Sequence, residues 1–194
     1  MPLAVPIGIP QLWAFAGSGL LFFVALLQRL SGRRREVGAR RDRRSQFGIV
    51  IQGVGIAVAG FGPVRPSLPP LSFPALAGTV AVLLFMGGAI GLFVASSREL
   101  GRNWSLVARM RDDHQLVRTG PYARVRHPIY LGMLFFLFAF AVGLGHWAQL
   151  LIALPVFFAG TAIRTRIEDG LLEQQFGDAF RTYRHSTPAL IPRL

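Results

Sequence analysis

The sequence has no cysteine and no lysine, and only 15% of its 194 residues are charged. The absence of cysteine excludes disulfide bonds and thiolate metal sites. Soluble domains usually carry about 25% charged residues, so this chain has too few charges to cover the surface of a soluble protein. With 52% hydrophobic residues and a mean hydropathy of +0.46, the composition indicates an integral membrane protein.

Long segments without any charged residue predict the membrane spans. A helix needs about 20 apolar residues to cross the ~30 Å hydrocarbon layer. Three such segments predict spans over about residues 10–27, 47–64 and 74–96. The fourth segment, 128–163, has 36 residues and would reach about 54 Å as a single helix. It is therefore too long for one span.

We predict that this fourth segment folds as a helical hairpin. Its natural break is the run Gly143-Leu144-Gly145-His146-Trp147. Two glycines loosen the helix there, and histidine and tryptophan suit a membrane interface. The prediction is an all-α integral membrane protein with about five transmembrane helices, in which the hairpin forms spans four and five.

The arginines fall almost entirely on one side of the predicted membrane. Eight lie in 29–44, seven in 98–126 and five from residue 164 onward, whereas only Arg65 lies on the opposite side. By the positive-inside rule the arginine-rich side is cytoplasmic. We therefore expect the N-terminus outside and the C-terminus inside, in a bacterial inner membrane. No basic residue precedes the apolar core of the first span, which argues against a cleaved signal peptide.

The net charge of +12 raises the question of nucleic-acid binding. The basic loop 29–44 lacks the aromatic side chains on which bases stack. We therefore expect this loop to contact anionic lipid headgroups, and we expect no nucleic-acid partner. The arginines concerned are Arg33, Arg34, Arg35, Arg40, Arg41, Arg43 and Arg44.

The cytoplasmic segment before the hairpin carries candidate binding residues. Residues 119–122, Thr-Gly-Pro-Tyr, are a turn signal, and Pro128 suits the first position of a helix. Arg126 and His127 would then flank a helix N-terminus, whose free N–H groups bind anions. The alternative is an interfacial elbow in which Arg126 extends to the lipid headgroups and His127 bonds a backbone carbonyl. His114 and His127 have no third ligand at a convincing spacing, so no metal site is predicted.

The C-terminal segment supplies the acidic side chains. If the fifth span continues as a helix, Arg164 and Glu168 are i, i+4 neighbours on one face. The carboxylates of Glu168 and Asp169 can accept hydrogen bonds from ribose hydroxyls or attract a sulfonium cation. The alternative is a surface salt bridge worth about 0–1 kcal/mol, although ionisable groups at membrane depth are often functional. We expect Leu171, Leu172 and Phe176 on the apolar side of this helix, Gly177 at its end, and a short further helix capped by Asp178 that presents Phe180 and Tyr183.

Two sequence blocks carry a family resemblance. The first is RHPIYLG at 126–132, preceded by HQLVRTGPYARV and, further upstream, by LGRNWS. The second is RTRIEDGLLEQQFGDAFRTYRHSTPALIP at 164–192, which is similar to an Arg-x-x-x-Glu-Glu helix followed by a Phe-Gly-x-x-Tyr-x-x-Tyr stretch. In order and spacing around a hydrophobic hairpin, the blocks resemble the isoprenylcysteine carboxyl methyltransferase family, over about half of the chain.

The resemblance implies a membrane-embedded enzyme that uses S-adenosyl-L-methionine. It implies a single domain over 1–194, with three spans and the basic loop in 1–97 and the cofactor-binding and catalytic part in 98–194. Cytoplasmic C-terminal helices would close the cofactor pocket, and the methyl acceptor would be lipophilic or prenylated. The residues it places around the cofactor are His114, Gln115, Leu116, Val117, Gly120, Tyr122, Arg126, His127, Pro128, Tyr130 and Glu168.

The resemblance also implies the residues nearest the chemistry, which are Arg164 and Glu168. A C-terminal carboxyl group is already ionised at neutral pH, so carboxyl O-methylation needs no general base. The protein must position the acceptor. Arg164 suits a two-point carboxylate clamp, with Glu168 holding either Arg164 or the cofactor. An amine or thiol acceptor would instead need deprotonation, with Glu168 as the base.

The chain departs from the family pattern at two positions. Asp169 stands where the family has its second glutamate, which keeps the charge but shortens the reach. Ala189 stands where many relatives have a basic residue, in the run Thr187-Pro188-Ala189. If that basic residue helps to hold the acceptor carboxylate, its absence puts the prenylcysteine substrate in doubt and leaves the cofactor assignment unaffected.

Other interpretations of the same blocks stay open. Phospholipid N-methyltransferases and bacterial small-thiol S-methyltransferases share a similar layout. The C-terminal part of sterol reductases has a related pattern with a nicotinamide cofactor. A catalytically idle membrane scaffold that keeps the fold is the alternative from outside the enzymes.

Overall fold

The computed structural model describes residues 4–31, 40–41, 44–107, 109–110 and 114–192. Helices dominate the described residues, and two short strand pairs lie in the connections between them. The helices are α1 (Ile9–Ser31), α2 (Arg44–Ala59), α3 (Phe73–Leu100), α4 (Pro128–Leu144), α5 (Leu150–Phe176) and α6 (Asp178–Ser186), with 3-10 turns at Gly101–Asn103, Gly120–Ala123 and Trp147–Gln149. The strands are β1 (Ile7–Gly8), β2 (Arg40–Arg41), β3 (Pro66–Leu68) and β4 (Arg109–Met110).

The helix lengths confirm the predicted all-α membrane architecture. Ile9–Ser31, Phe73–Asn103 and Trp147–Phe176 are long and apolar enough to cross a membrane. Helix α4 is apolar but has only 17 residues, which is about 26 Å at the helical rise. Helix α2 has 16 residues, or about 24 Å. The number of helices that cross the bilayer therefore stays a prediction.

The predicted hairpin forms where two glycines were expected to break the helix. Helix α4 begins at Pro128, which needs no backbone donor in the first turn, and ends at Leu144. Gly145 follows in the left-handed conformation with φ +77. A Cβ atom on Gly145 would lie 2.4 Å from the carbonyl oxygen of Val5, so glycine is required there. After the short 3-10 turn the chain continues directly into α5.

The second predicted span ends earlier than expected. The apolar run predicted a helix to residue 64, but α2 ends at Ala59. The run Gly60-Phe61-Gly62-Pro63 follows. Gly62 has a φ of +147, and the residue before a proline is sterically pushed away from helical geometry. Apolar composition alone was therefore a poor guide to this boundary.

Helix α4 lies at the centre of the helical packing. One of its sides forms an apolar core with α2 and α5, in which Leu137, Ala153 and Phe157 are fully buried. Its other side packs on α3, with Val82 and Met86 fully buried. Phenylalanines of α1 complete this second core. Their ring contacts are Phe15 with Phe140 at 4.9 Å and Phe22 with Phe136 at 4.7 Å between centroids.

The strand pairs close opposite ends of the helical bundle. At the end that holds the α4–α5 turn, β1 pairs with β3 in parallel, and the Val5 amide donates to the Gly145 carbonyl over 2.8 Å. At the arginine-rich end, β2 pairs with β4 in antiparallel register. Of the arginines expected to contact lipid, Arg40 and Arg41 form β2. Arg33, Arg34, Arg35 and Arg43 lie outside the described residues.

The C-terminal helices follow the predicted pattern with one correction. Helix α5 ends at Phe176, and Gly177 has a φ of +50. The N-cap of α6 is Gly177 and not Asp178, which is the first helical residue. The sharp turn at Gly177 leads directly into α6 and leaves no separate cap position for Asp178. Phe180 and Tyr183 of α6 are buried as expected.

Helices α2 and α5 approach closely because small residues face each other. A Cβ atom on Gly160 would lie 2.7 Å from the backbone nitrogen of Gln52. A Cβ atom on Gly55 would lie 2.9 Å from the backbone nitrogen of Phe157. Close backbone approach at small residues is a common way to pack helices in membranes. It brings polar side chains of α2 within reach of α5.

We expect Gly48→Ala to destabilise the protein by about 1–3 kcal/mol, as overpacking typically does. Its Cβ atom would lie 2.4 Å from Cγ of Arg164 and 2.9 Å from the carbonyl oxygen of Gly160. Melting followed by tryptophan fluorescence in detergent measures the change. Gly53→Ala, in the same helix, is the matched control because nothing lies within 4 Å of its added Cβ atom. Equal melting temperatures for the two variants would contradict the close packing.

Candidate active site

A cavity of about 290 Å³ lies at the arginine-rich end of the bundle. Its walls are mostly apolar and come from α1, α2, α3, α4 and α5, whereas charged side chains line one part of it. The segment after α3 and the end of α6 also contribute. The ionisable residues among the lining are His114, Tyr122, Arg126, His127, Tyr130, Arg164, Glu168 and Tyr183.

His127 lies between two carboxylates. Its Nε2 atom is 3.0 Å from Oδ1 of Asp169, and its Nδ1 atom is 3.4 Å from Oε2 of Glu168. The backbone of His127 is fixed at the start of α4, because His127 is the N-cap residue directly before Pro128. Because both ring nitrogens face carboxylate oxygens, this geometry favours the doubly protonated imidazolium, in which both nitrogens donate.

Arg126 ties α5 to the C-terminal segment. Its Nη2 atom donates to Oδ2 of Asp169 over 2.9 Å. Its Nη1 atom donates to the carbonyl oxygens of Thr187 at 2.5 Å and Arg184 at 3.2 Å. Both terminal nitrogens of the side chain therefore donate within the protein. It holds the end of α6 against the residues that precede α4.

The chain after α6 closes the site through backbone bonds. The Arg126 amide donates to the Pro188 carbonyl, and the His127 amide donates to the Ala189 carbonyl, both over 2.9 Å. These two amides precede the helix N-terminus that the sequence predicts for anion binding, since α4 begins at Pro128. The anion site itself therefore stays a prediction. Ala189 contributes its carbonyl oxygen, which any residue would supply.

Arg164 is buried beside the cavity and has partners from three other parts of the chain. Its Nη1 atom donates to Oε1 of Gln52 in α2 over 3.1 Å, and Nη2 donates to the carbonyl oxygen of Leu106 over 2.8 Å. Its Cζ atom lies 4.8 Å from the centre of the Tyr130 ring. The predicted partner Glu168 is adjacent, with Oε1 3.8 Å from Nη2.

Glu168 joins the arginine to the histidine. One oxygen accepts a hydrogen bond from the Tyr130 hydroxyl and faces Arg164, and the other oxygen faces His127. Only 27% of the glutamate side chain is exposed, so these charges are weakly screened. Together the contacts form one connected polar network at the edge of an apolar cavity.

The surroundings shift the pKa values of the groups outside the spans. Burial lowers the pKa of His127, but its hydrogen bonds to Asp169 and Glu168 outweigh burial and raise it above the ordinary value. Burial raises the pKa of Tyr183 to about 12. Burial also raises the pKa of Tyr122, and the charge of Glu168 adds to this effect. Both tyrosines are therefore neutral hydrogen-bonding groups, and the Tyr183 hydroxyl donates to the Tyr122 carbonyl over 2.6 Å.

The structure brings most of the predicted site residues to this cavity. Gly120 and Pro128 are not among its lining residues. Gly120 has a φ of +58 and shapes the turn that presents Tyr122, while Pro128 begins α4. The predicted residues that do line the cavity are His114, Gln115, Leu116, Val117, Tyr122, Arg126, His127, Tyr130, Arg164 and Glu168.

Sequence reasoning missed two partners of Arg164. Leu106 participates through its backbone carbonyl, which no side-chain pattern reveals. Gln52 had a usable signal, because it is one of the few strongly polar side chains in the second charge-free segment, and polar residues inside spans are often functional.

The arrangement combines three features. An apolar cavity suits a lipophilic molecule, the carboxylate of Glu168 suits hydroxyl or cationic groups, and the guanidinium of Arg164 suits an anion. These features define a membrane protein that binds small molecules where its helical bundle meets the arginine-rich end. They suit a lipophilic molecule that lies beside a polar one.

Comparison with known proteins places the chain in a family. The model of the phospholipid methyltransferase family matches residues 76–179, which is more than half of the chain. The chain belongs to the phospholipid methyltransferase family. The matched range contains α4, nearly all of α3 and all of α5, and therefore His127, Arg164 and Glu168.

Individual relatives match a similar part of the chain. The protein-S-isoprenylcysteine O-methyltransferase of Schizosaccharomyces pombe is 34% identical over 107 residues, which cover 53% of this chain and 45% of the relative. The nickel-cobalt-cadmium resistance protein NccN of Alcaligenes xylosoxydans xylosoxydans is 32% identical over 120 residues, covering 59% and 53%. The cobalt-zinc-cadmium resistance protein CzcN of Cupriavidus metallidurans is 33% identical over 120 residues, covering 59% and 52%. The chain thus matches about half the length of these curated relatives.

Proposed function

We propose that this protein transfers a methyl group from S-adenosyl-L-methionine to a lipophilic acceptor. The observation that carries the proposal is the cavity itself. Within the range matched by the family, Arg164 and Glu168 lie at the edge of a space whose remaining walls are apolar helices. A polar methyl donor and a lipophilic acceptor can therefore meet inside one cavity.

The residues around the cavity fit S-adenosylmethionine. The carboxylate of Glu168 suits ribose hydroxyls or a cationic centre, and the apolar side chains of Leu116 and Val117 suit a flat base. Asn103 and Gln115 also line the cavity, and their amide side chains can pair with the polar edges of a base. When bound, this cofactor supplies an electrophilic methyl group on a sulfonium centre.

The protein's own residues then have three tasks. Arg164 binds and orients the acceptor, Glu168 fixes the polar end of the site, and the apolar walls exclude water from the reacting atoms. Holding two reactants in the reacting geometry is worth as much as about 7–11 kcal/mol of barrier. A carboxylate acceptor arrives ionised, so these residues need not remove a proton from it.

The charges of the site favour an anionic acceptor. Arg126, Arg164 and protonated His127 are cations, whereas Glu168 and Asp169 are anions, so the network keeps one positive charge in excess. An acceptor carboxylate balances this charge, whereas the cationic headgroup of a phospholipid amine adds to it. We therefore propose carboxyl O-methylation of an isoprenylcysteine-like substrate, with phospholipid N-methylation and small-thiol S-methylation as the alternatives.

The names of the relatives support the proposal to different extents. The relative from Schizosaccharomyces pombe is named as an isoprenylcysteine O-methyltransferase, which matches the proposed acceptor class. The other two relatives are named for metal resistance. The described residues contain no group of three histidine, aspartate or glutamate side chains that could hold a metal ion, and we propose no metal-binding role.

Transfer of a labelled methyl group to a panel of acceptors tests this function. Purified protein is given methyl-labelled S-adenosylmethionine and either a farnesylcysteine, phosphatidylethanolamine or an alkyl thiol. We expect label in the farnesylcysteine methyl ester, which releases methanol on treatment with base. Label only in the lipid or the thiol would reject carboxyl methylation, and no label in any acceptor would reject methyl transfer to these classes.

We further propose five membrane spans with the site on the cytoplasmic side. Reporter fusions after Arg44, Gly101 and Ser186 are expected to give cytoplasmic signals, because 20 of the 21 arginines lie at that end. Fusions after Pro70 and His146 are expected to give external signals. A cytoplasmic signal at His146 would contradict the hairpin and the site built around it.

A further inference from the structure

We propose that Gln52, in α2, is a positioning residue of the reaction that acts through Arg164. This inference rests on the proposed function and names what holds the acceptor-binding guanidinium in place. Gln52 is fully buried, is not among the residues that line the cavity, and lies outside the family-matched residues 76–179. Its influence on the reaction must therefore pass through the side chain that it contacts.

The orientation of the Gln52 amide is determined by a chain of hydrogen bonds. The Thr161 hydroxyl donates to the Phe157 carbonyl over 2.9 Å. Since its single proton is used there, the hydroxyl oxygen must accept from Gln52, whose Nε2 atom lies 2.8 Å away. The amide oxygen of Gln52 is thereby turned toward Arg164, whose Nη1 atom donates to it over 3.1 Å.

Gln52 is one of three supports that fix the guanidinium plane of Arg164. The Leu106 carbonyl accepts from Nη2 over 2.8 Å, and the Tyr130 ring lies 4.8 Å from Cζ. Arginine has five N–H donors, and among the described residues only two of them are used in these hydrogen bonds. Since Nε is fully buried, the donors that remain for an acceptor in the cavity are the second N–H groups of Nη1 and Nη2.

A neutral partner also preserves the charge of Arg164. The amide oxygen of Gln52 holds the guanidinium without adding a second carboxylate to that of Glu168, so Arg164 keeps more of its attraction for an anionic acceptor. A glutamate at this position would hold Arg164 equally well but would compete with the acceptor for its charge. Gln52 therefore affects both the geometry and the electrostatics of the acceptor site, and the two effects can be separated by substitution.

Steady-state kinetics of Gln52→Met and Gln52→Glu separate these effects. With a farnesylcysteine acceptor, Gln52→Met should lower kcat about 10- to 100-fold, the usual worth of a hydrogen bond to a charged group. Gln52→Glu should keep kcat within about fivefold of wild type and raise KM for the acceptor about tenfold. Both variants should bind S-adenosylhomocysteine as wild type does, since Gln52 does not reach the cavity.

Gln11→Met is the matched control for loss of a buried amide. Gln11 is also buried and donates to the Val142 carbonyl over 2.6 Å, but it is not among the cavity-lining residues. We expect it to lower the melting temperature while kcat of the folded protein stays near wild type. Equal losses of kcat in Gln11→Met and Gln52→Met would make Gln52 merely structural and would overturn the inference.

A second measurement does not depend on activity. In ¹⁵N spectra of arginine side chains, a fixed guanidinium gives separate Nη1 and Nη2 signals, and a freely rotating one gives a single averaged signal. Wild type and Gln52→Glu should show separate signals for Arg164, assigned by their loss in Arg164→Lys, and Gln52→Met should show them averaged. Unchanged signals in Gln52→Met would overturn the inference. The spectra and the activity can also disagree. If the signals are averaged in Gln52→Met but wild type transfers no methyl group, the contact between Gln52 and Arg164 is supported and the proposed function is rejected.

Discussion

Replacing Arg164 by lysine is expected to reduce the rate of methyl transfer by about 100- to 1,000-fold, as the loss of one well-placed transition-state donor does in other enzymes. Lysine keeps the positive charge but lacks the planar fork that binds a carboxylate at two points. It also cannot reach Oε1 of Gln52 and the Leu106 carbonyl while offering further donors to an acceptor. The affinity for S-adenosylhomocysteine should change little, because Glu168 and the apolar walls are retained.

Arg166→Lys is the matched control for this substitution. It makes the same chemical change two residues further along α5, where the side chain is exposed. The measurement is the single-turnover rate with saturating labelled cofactor, with melting temperatures recorded alongside. If Arg164→Lys turned over a carboxylate acceptor as fast as Arg166→Lys does, Arg164 would be a structural anchor and would not orient the acceptor.

Replacing His127 by alanine is expected to destabilise the protein by about 3–5 kcal/mol, the usual effect of breaking a buried ion pair by removing one partner. The side chain of His127 is only 4% exposed, and it bridges Asp169 and Glu168. Its removal leaves Glu168 and Asp169 adjacent, with no cation between them. Unfolding by detergent titration at about pH 6, where the imidazole is protonated, measures the loss.

His185→Ala is the control for the His127 variant. His185 is exposed on α6, so its removal should change stability by no more than about 0.5 kcal/mol. Comparable losses in the two variants would show that the contacts of His127 with the carboxylates contribute nothing.

The same contacts predict how stability depends on pH. The pKa of His127 is raised in the folded protein above its ordinary value of about 6.5. The charged imidazole therefore stabilises the fold fully below about pH 6.5, and this contribution is lost as the pH rises through the raised pKa. Melting temperature should fall over that range in wild type and in His185→Ala. The fall should be absent from His127→Ala, and a fall of equal size in that variant would assign the pH dependence to another group.

The helices could be predicted because lipid leaves the backbone few choices. Without water to satisfy N–H and C=O groups, a charge-free segment must form internal hydrogen bonds. The segments containing α1, α3, α4 and α5 were recognised on this basis, and Gly145 ends α4 where a break was expected. The end of α2 was missed, because the residues after Ala59 are as apolar as the helix but contain Gly62 and Pro63.

The contacts of the candidate site are of two kinds, those between residues close together in the sequence and those between residues far apart in it. Arg164 and Glu168 are one helical turn apart, so their contact follows from spacing alone. The contacts of Asp169 with Arg126 and His127 join residues more than forty positions apart. The family resemblance grouped these segments, but it could not show that the shorter aspartate still reaches both partners. Gln52 contacts Arg164 only because α2 and α5 pack closely, which required the tertiary structure.

In the fold, the departure from the family pattern at Ala189 coincides with a backbone contact. The sequence showed only that a basic side chain was absent. In the fold, Ala189 uses its carbonyl oxygen to accept from the His127 amide, so the C-terminal segment closes on the site without a charged side chain. When His127 is protonated, Arg126, His127 and Arg164 carry one positive charge more than Glu168 and Asp169 beside the cavity.

Calorimetric titration of S-adenosylhomocysteine into the detergent-purified protein tests the central claim most directly, because it asks whether the cavity is a cofactor site before any acceptor is chosen. We expect saturable binding to wild type, at least about tenfold weaker binding to Glu168→Gln, whose amide no longer carries the charge, and no binding of NADPH. Binding of NADPH in place of S-adenosylhomocysteine, or binding of neither, would contradict the assignment of this cavity to methyl transfer.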